Sequence, residues 1–266
     1  MRPKILTIQF RSNPSSREQE QAAIVREGGV YAEIEFINAL DESINWAEPA
    51  ALMASYQGVI LGGSGDFDFD GGRAEDDMAR QQSYIFLEQL RPLFQYLFDN
   101  DIPTLGICYG HQLLGAFAGA QVKRDEAQKK TRSHPVKLMV DKHDYFLFSD
   151  LPDTFYAQYG HKDALDRVPE GAVLLMNGGD ECKVSALRYK NNIYTTQFHP
   201  ELTLEDMLAR MHASPDYLPE GVVAEEVFKD SPDANRILRN FGKFVAKQVE
   251  KQSATNPVST TAAVSV

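Results

Sequence analysis

The residues around Cys108 are typical of a nucleophilic cysteine. Residues 104 to 114 read TLGICYGHQLL, in which Gly106-x-Cys108-x-Gly110 lies between a predicted strand and a predicted helix. The glycines allow a sharp turn, because a Cβ on either side would collide with the neighbouring strand or helix. The N-terminus of the following helix would face the sulfur and favour a thiolate, and the backbone N–H of Tyr109 could donate to an oxyanion. We therefore predict a nucleophile elbow centred on Cys108.

A buried structural cysteine is the alternative interpretation, and it would be preferred for a cysteine in a strand without such glycines. The glycine frame and the strand–helix junction favour catalysis at Cys108. The other cysteine, Cys182, lies in GGDECKVS and has no such frame. We interpret Cys182 as structural.

The base for this cysteine is expected in the segment TTQFHPEL, residues 195 to 202. Pro200 disfavours helix at His199 and keeps the segment extended. Residues i and i+2 of an extended chain project to the same side, so His199 and Glu201 can address one site together. We predict that Glu201 orients the imidazole while His199 exchanges protons with the nucleophile. On its own, the motif would indicate only a strand end with a surface histidine and glutamate.

The glycine-rich stretch GGSGDFDFDGG, residues 62 to 72, allows three interpretations. It could cradle a phosphate, bind calcium, or present bare backbone N–H groups at a strand end to a reaction. The calcium hypothesis uses Asp66, Asp68 and Asp70, with Asp77 at position twelve. A strand precedes this pattern where an EF-hand has a helix, and position twelve is Asp where an EF-hand has Glu. The position of the stretch at a strand end favours the third interpretation.

Alternating strands and helices must position these segments. Strands are predicted at 4–10, 30–37, 58–61 and 102–107, and helices at about 18–27, 78–98 and 110–119, with a kink or break at Pro92. This order predicts an α/β fold with a mostly parallel sheet covered by helices on both faces. After about residue 133, short strands separated by turn residues predict an antiparallel extension of the sheet, and helices return from 202 to 250.

Bulk composition limits the classes of function. The chain has 266 residues, of which 43% are hydrophobic and 24% charged, as in ordinary globular proteins. A net charge of −11 argues against nucleic acid or an anionic membrane as a partner. Two cysteines cannot form a disulfide framework and fit a reducing compartment. The N-terminal apolar run is too short for a signal peptide and no segment reaches transmembrane length, so we expect a cytoplasmic protein.

Domain organisation is predicted to be simple. We expect one domain over residues 1–250, followed by a disordered tail at 251–266, where the sequence is small and polar. We find no histidines with partners at metal-ligand spacing, so no metal site is predicted.

Four of these features together resemble a known family, the class I (triad) glutamine amidotransferases. They are GICYGHQLL, QFHPE, the glycine-rich loop after an earlier strand, and the YGHKD segment between them. Their order and spacing are similar to the glutaminase domain of GMP synthase and its free-standing relatives, over roughly residues 50 to 205. The resemblance implies a single-domain, flavodoxin-like α/β fold with an antiparallel extension, and an active site in which Cys108 is the nucleophile, His199 the base and Glu201 its orienting carboxylate.

The resemblance also implies binding residues. The N–H of Gly63 would join that of Tyr109 in an oxyanion hole, and Ser64 stands where many members have proline, a departure that puts the rigidity of the loop in question. Substrate would be contacted by five further residues, namely Gly65, Gln112, Tyr159, Gly160 and His161. The acidic remainder of the glycine-rich stretch, residues 66 to 72, is expected to extend over the mouth of the site and affect substrate choice or partner docking.

The implied reaction is hydrolysis of the glutamine side-chain amide through a γ-glutamyl thioester, with no metal or organic cofactor. Many relatives deliver the ammonia to a synthetase, but residues 202 to 266 are too few for such a domain and no GxxxxGK[ST] pattern occurs. Two alternatives follow, a separate acceptor subunit or a stand-alone hydrolase of glutamine or another γ-glutamyl compound. A catalytically inactive regulatory relative is disfavoured because all three triad residue types are present.

Overall fold

A computed structural model describes residues 2–213, 218 and 221–255 of the chain. Its strands are β1 (Lys4–Gln9), β2 (Glu33–Asn38), β3 (Gly58–Leu61), β4 (Thr104–Ile107), β5 (Val122–Arg124), β6 (Lys130–Leu138), β7 (Thr154–His161), β8 (Asp163–Leu165), β9 (Val173–Asn177), β10 (Ala186–Tyr189) and β11 (Ile193–Thr196). Its helices are α1 (Pro14–Gly28), α2 (Pro49–Leu52), α3 (Met78–Gln89), α4 (Arg91–Asp99), α5 (Tyr109–Phe117), α6 (Leu204–Ala213), α7 (Ala224–Val227) and α8 (Pro232–Thr255).

Nine of the strands form one sheet in the order β2-β1-β3-β4-β11-β10-β9-β6-β7. The pairings from β2 to β11 are parallel, and those from β11 to β7 are antiparallel. The predicted parallel sheet with an antiparallel extension is therefore confirmed. Strands β5 and β8 form a separate antiparallel pair that we did not predict, because three residues in each are too few to show a hydrophobic period.

Helices cover both faces of the sheet. Side chains alternate along its buried strands, so apolar residues project from each face. One face carries Ile5 and Ile60 and packs against apolar residues of α1 and α8. The other carries Leu6 and Val59 and packs against α3, α4 and α5. This packing on both faces holds the parallel strands rigidly, together with the residues at their carboxyl ends. In the described part of the chain, no helix is both long enough and apolar enough to cross a bilayer.

Helix boundaries in the structure can be compared with the predicted ones, and local features explain them. The helix predicted at 18–27 begins at Pro14, because proline is suited to the first helical turn and Asn13 Oδ1 accepts the N–H of Ser16 at 3.2 Å. The predicted break near Pro92 is confirmed, since α3 ends before Leu90 and α4 begins after it. Helix α8 extends to Thr255, five residues into the predicted tail, and residues 256–266 of that tail lie outside the described residues.

Candidate active site

Cys108 occupies a strained turn between β4 and α5. Its backbone has φ 49° and ψ −94°, and its N–H donates to the carbonyl oxygen of Thr196 at 2.7 Å. A positive φ at a residue with a side chain costs on the order of 1–3 kcal/mol and persists only where the surroundings enforce it. The side chain is almost fully buried, with 3% of the residue exposed. The chain therefore holds the thiol at the N-terminus of α5, as an elbow requires.

The two glycines that flank this turn lie in close contact with neighbouring backbone. A Cβ added at Gly110 would lie 2.3 Å from the carbonyl oxygen of Leu61, and one added at Gly106 would lie 2.8 Å from the carbonyl oxygen of Gly110. The predicted collision of a side chain with the adjacent strand or helix is thus confirmed. In addition, the N–H of Gly110 donates to the carbonyl oxygen of Gly62 at 3.1 Å, which ties the elbow to the glycine-rich loop.

His199 and Glu201 form a buried ion pair beside the elbow. His199 Nδ1 lies 2.7 Å from Glu201 Oε1, and the two residues are 4% and 0% exposed. The backbone N–H of His199 donates to the carbonyl oxygen of Gln158 at 2.9 Å, which fixes the extended segment against β7. The structure therefore places these two side chains on one side of the chain, as their spacing of two residues predicts.

Charges at this pair favour an imidazolium. Burial alone would lower the pKa of His199, but the Glu201 carboxylate and the sulfur of Cys108 outweigh it and raise that pKa to about 10. Burial likewise raises the pKa of Glu201, and this effect is outweighed by His199 and then by the cation of Arg210, so the pKa of Glu201 is lowered overall. At neutral pH the pair is an imidazolium and a carboxylate, so His199 can donate a proton to a leaving group.

This ion pair predicts the alkaline limit of activity. The rate should fall as the pH rises through about 10, where His199 loses its proton. Replacing Glu201 by Gln removes the carboxylate that raises the pKa of His199, so the alkaline limb of kcat/KM should move to lower pH. A pH profile of wild type and Glu201→Gln measures this shift, with the exposed Glu205→Gln as the control. An unmoved limb in Glu201→Gln would contradict the assignment.

The same raised pKa is linked to stability. A histidine whose folded-state pKa lies above its ordinary value of 6.5 stabilises the fold fully below that pH, and the contribution is lost as the pH rises through about 10. We therefore expect the free energy of unfolding to fall across this window more steeply in wild type than in Glu201→Gln.

The predicted oxyanion loop is hydrogen-bonded to the carboxylate of Glu20, a residue that the sequence analysis did not single out. The N–H of Gly63 donates to Glu20 Oε1 at 3.1 Å. Glu20 is fully buried, and its carboxylate also accepts Arg11 Nη2 at 3.0 Å and Gln9 Nε2 at 2.9 Å. The N–H that we expected to face an oxyanion is therefore already bonded. Tyr109 begins α5, where the first N–H groups have no carbonyl of their own helix to bond.

Glu20 is expected to be a major determinant of stability. Glu20→Ala would leave the buried guanidinium of Arg11 without its carboxylate, which typically costs about 3–5 kcal/mol. Denaturant unfolding of Glu20→Ala and of Glu18→Ala, an exposed position on the same helix, measures the difference. Equal stability of the two variants would show that the Glu20–Arg11 pair contributes nothing.

The predicted substrate residues fall into two groups. Gly65 and Gly160 line a cavity of about 420 Å³ that also reaches His199. Gln112, Tyr159 and His161 are not part of that lining. Gln112 Nε2 donates to the carbonyl oxygen of Asp163 at 2.8 Å, and the hydroxyl of Tyr159 shares a hydrogen bond of 2.9 Å with Ser185. Burial, followed by neighbouring cations, lowers the pKa of His161 to about 3, so this buried histidine is neutral.

One further residue contacts the nucleophile. Gln197 Nε2 donates to Cys108 Sγ at 3.6 Å, and its Oε1 lies 3.5 Å from Gln112 Nε2. Sequence reasoning named the motif QFHPE without assigning this glutamine. The signal was present, because Gln197 precedes His199 by two residues in the same extended segment and so shares its side.

The acidic residues of the glycine-rich stretch are bonded within the protein. Asp66 accepts both the N–H and the hydroxyl of Ser12, at 2.6 and 2.7 Å, and Asp68 pairs with Arg73 at 2.9 Å. Asp77 caps the N-terminus of α3. Of these acids, Asp66 lines the cavity. In the ranges that the structure describes, no group of three or more His, Cys, Asp or Glu residues is arranged to hold a metal ion.

An α/β sheet of this kind is shared with a solved glutamine amidotransferase structure, and in this chain a cysteine elbow and a His–Glu pair follow two neighbouring parallel strands. The family model "Glutamine amidotransferase class-I" matches residues 15–213. The chain belongs to the class I glutamine amidotransferase family.

Relatives of known name are similar to this chain over part of their length. A GMP synthase [glutamine-hydrolyzing] subunit of Methanocaldococcus jannaschii is 38% identical over 117 residues, or 44% of this chain and 60% of that protein. GMP synthase [glutamine-hydrolyzing] of Borreliella burgdorferi is 29% identical over 200 residues, or 75% of this chain and 33% of that protein. The matches thus span only part of these relatives.

Among solved structures, a glutamine amidotransferase from Thermotoga maritima has a TM-score of 0.63 at 19% identity and covers 94% of this chain and 98% of its own. One from Methylobacillus flagellatus has a TM-score of 0.61 at 17% identity and covers 96% of this chain and 93% of its own. At these low sequence identities, the similarity to the solved structures shows a shared fold and nothing more.

Proposed function

We propose that this chain hydrolyses the side-chain amide of glutamine through a thioester on Cys108, with His199 as acid and base and Glu201 as its orienting carboxylate. The observation that carries the proposal is the buried 2.7 Å pair of His199 and Glu201 next to a cysteine on a strained strand–helix elbow. A buried imidazolium beside a cysteine sulfur is the arrangement that activates thiol nucleophiles in other hydrolases.

In the proposed first step, the thiolate of Cys108 attacks the amide carbon of the glutamine side chain. The C–N bond breaks as His199 gives its Nε2 proton to the departing nitrogen, which leaves as ammonia. In the second step, His199 takes a proton from water, the resulting hydroxide attacks the thioester, and glutamate and the thiolate are released. Glu201 bonds Nδ1 throughout, so it keeps the imidazole in one orientation.

Two backbone N–H groups are proposed to stabilise the oxyanion. The N–H of Tyr109 follows the nucleophile directly, at the start of α5. The N–H of Gly63 would become the second donor once its hydrogen bond to Glu20 is exchanged for one to the substrate oxygen. Binding of substrate next to Ser64 and Gly65 would drive that exchange. We also propose that Gln112, Tyr159 and His161 act indirectly, by holding the walls of the glutamine site.

The ammonia is proposed to pass to a separate acceptor subunit, in the reducing cytoplasm. This proposal is supported by relatives that are named as one subunit of GMP synthase, such as the protein from Methanocaldococcus jannaschii. The second candidate is a stand-alone hydrolase of γ-glutamyl compounds, since the cavity of about 420 Å³ at His199 is large enough to enclose a whole small ligand. Neither reaction requires a metal or an organic cofactor.

The experiment that tests glutamine hydrolysis is a direct assay of ammonia release. Wild-type protein is incubated with glutamine, and the acyl-enzyme is trapped by acid quench and located by mass spectrometry. We expect ammonia in step with glutamate, and an acyl group on Cys108. If neither glutamine nor a γ-glutamyl peptide yields an acyl-enzyme, the proposed chemistry is wrong. Affinity purification of the tagged chain then tests for an acceptor subunit.

A further inference from the structure

Gln197 lies beside the nucleophile because of the register of two strands. Strands β4 and β11 are parallel neighbours in which Ile107 pairs with Thr196, so Cys108 and Gln197 are the next residues along the two strands. The N–H of Cys108 donates to the carbonyl oxygen of Thr196 at 2.7 Å. The N–H of Gln197 donates to the carbonyl oxygen of Ser185 at 2.8 Å. Backbone bonds on both sides therefore hold Gln197 next to the elbow.

A chain of side-chain hydrogen bonds orients the amide of Gln197. Gln112 Nε2 donates to the carbonyl oxygen of Asp163 at 2.8 Å and lies 3.5 Å from Gln197 Oε1. Because the NH2 group of an amide can only donate, Gln112 requires the oxygen of Gln197 on its side and leaves the NH2 group on the other. That NH2 group donates to Cys108 Sγ at 3.6 Å. Burial reinforces this orientation, because Gln112 and Gln197 are only 5% and 1% exposed.

The sulfur that receives this N–H is a better acceptor as a thiolate than as a thiol. A buried amide donor costs free energy unless it is well bonded, and the sulfur of a thiol is a weak acceptor. A hydrogen bond to an anion is roughly twice as strong as one between neutral groups. His199 also hydrogen-bonds the sulfur, but it gives up its proton in the proposed reaction. The amide of Gln197 transfers no proton, so it remains a donor throughout.

We propose that Gln197 is a further catalytic residue, whose side-chain amide stabilises negative charge on the Cys108 sulfur. The inference rests on the proposed thioester chemistry and gives Gln197 a role in both steps. Before attack, the N–H favours the thiolate over the thiol. After hydroxide has added to the thioester, the C–S bond breaks and its electron pair stays on the sulfur, where the same N–H bonds the thiolate that forms. Gln112 is then a positioning residue, which acts through Gln197.

The test is the rate at which iodoacetamide alkylates Cys108 without substrate, with the labelled residue located by mass spectrometry. Gln197→Met keeps the approximate length of the side chain and removes the donor, so it should slow alkylation by about three- to tenfold. The loss of thiolate is larger, but a less stabilised thiolate is a stronger nucleophile and offsets part of it. Gln112→Met should slow alkylation by a smaller factor, because the donor remains and only its orientation is lost. In Gln197→Met, kcat for glutamine should also fall by at least about threefold.

The matched control is a buried glutamine away from the elbow. Gln128 is 5% exposed, and its side chain bonds Asp125 at 2.6 Å and the N–H of Lys183 at 2.9 Å. Cys108 should be alkylated at the wild-type rate in Gln128→Met. An equal slowing in Gln128→Met and Gln197→Met would overturn the inference, since disturbed packing alone would produce that result.

A second measurement observes the amide directly and needs no substitution at Gln197. NMR spectra of protein with isotope-labelled glutamine side chains are compared between wild type and Cys108→Ala. One side-chain amide proton should move upfield in Cys108→Ala, because its sulfur acceptor is missing. Identical glutamine amide resonances in the two proteins would overturn the inference, and this comparison decides the matter where Gln197→Met does not fold.

The outcomes separate this inference from the proposed function, because alkylation and NMR are measured without substrate. If glutamine is hydrolysed and Gln197→Met is alkylated at the wild-type rate, the inference fails and the glutaminase proposal stands. If glutamine gives no acyl-enzyme although Gln197→Met slows alkylation, the proposed hydrolysis is wrong and the bond from Gln197 to the thiolate stands.

Discussion

Cys108→Ala is expected to lower kcat for glutamine hydrolysis by at least about 10⁴-fold, because no thioester can form without the sulfur. Removal of a nucleophile that acts with its base as one unit costs about 10⁴–10⁶-fold in serine proteases, where only binding and oxyanion contacts remain. Ammonia release and acyl-enzyme mass spectra measure the loss. The fold should persist, because the turn is held by backbone bonds such as the one from the Cys108 N–H to Thr196.

The matched control is the other cysteine. Cys182 is also buried, with 1% of the residue exposed, but it bonds no member of the His199–Glu201 pair. Cys182→Ala should keep kcat within a few-fold of wild type. If Cys182→Ala loses activity as fully as Cys108→Ala, or if Cys108→Ala remains active, the assignment of the nucleophile is wrong.

Gly110→Ala is expected to destabilise the protein by about 3 kcal/mol and to remove most activity. Its Cβ would lie 2.3 Å from the carbonyl oxygen and 2.7 Å from the Cβ of Leu61, in the rigid core strand β3. Neither atom can yield without a shift of the strand, and overpacking of this kind typically costs 1–3 kcal/mol or more. Since Gly110 also donates to Gly62, the elbow and the glycine-rich loop should move apart.

Denaturant unfolding and kcat measure both effects, with Gly28→Ala as the control. A Cβ at Gly28 would meet Leu238 Cδ1 at 3.5 Å, which is an ordinary van der Waals contact. We expect that variant to remain within about 1 kcal/mol of wild type. Wild-type stability and activity in Gly110→Ala would show that the close approach of α5 to β3 is not needed.

Much of the fold follows from local pattern. The strands β1, β3 and β4 are buried on both faces, so their sequences are continuous apolar runs, which predict core strands of a parallel sheet. The break near Pro92 follows from the ring of proline alone. The pair β5–β8 was missed because its strands are short and their pairing partners are far apart in sequence.

The same distinction applies to the candidate site, where residues in local motifs could be predicted and contacts between distant residues could not. Cys108, His199 and Glu201 lie in motifs whose glycine or proline neighbours constrain the backbone locally, so residue type and spacing were enough to predict that they lie together. The bond from Gly63 to Glu20 joins residues 43 positions apart, and that from Gln197 to Cys108 joins residues 89 apart. No local pattern encodes such contacts.

By itself the sequence determined the family and the α/β sheet, and it predicted the residues of the elbow and of the His199–Glu201 pair. These features depend on turn sterics and on period-two projection, which act over a few residues. Only the tertiary structure decided that Glu20 accepts a hydrogen bond from the Gly63 N–H, and that Arg11 and Arg210 line one cavity at His199. The physical reason is that burial and charge at a site depend on what packs there from distant elements, here α1 and α6.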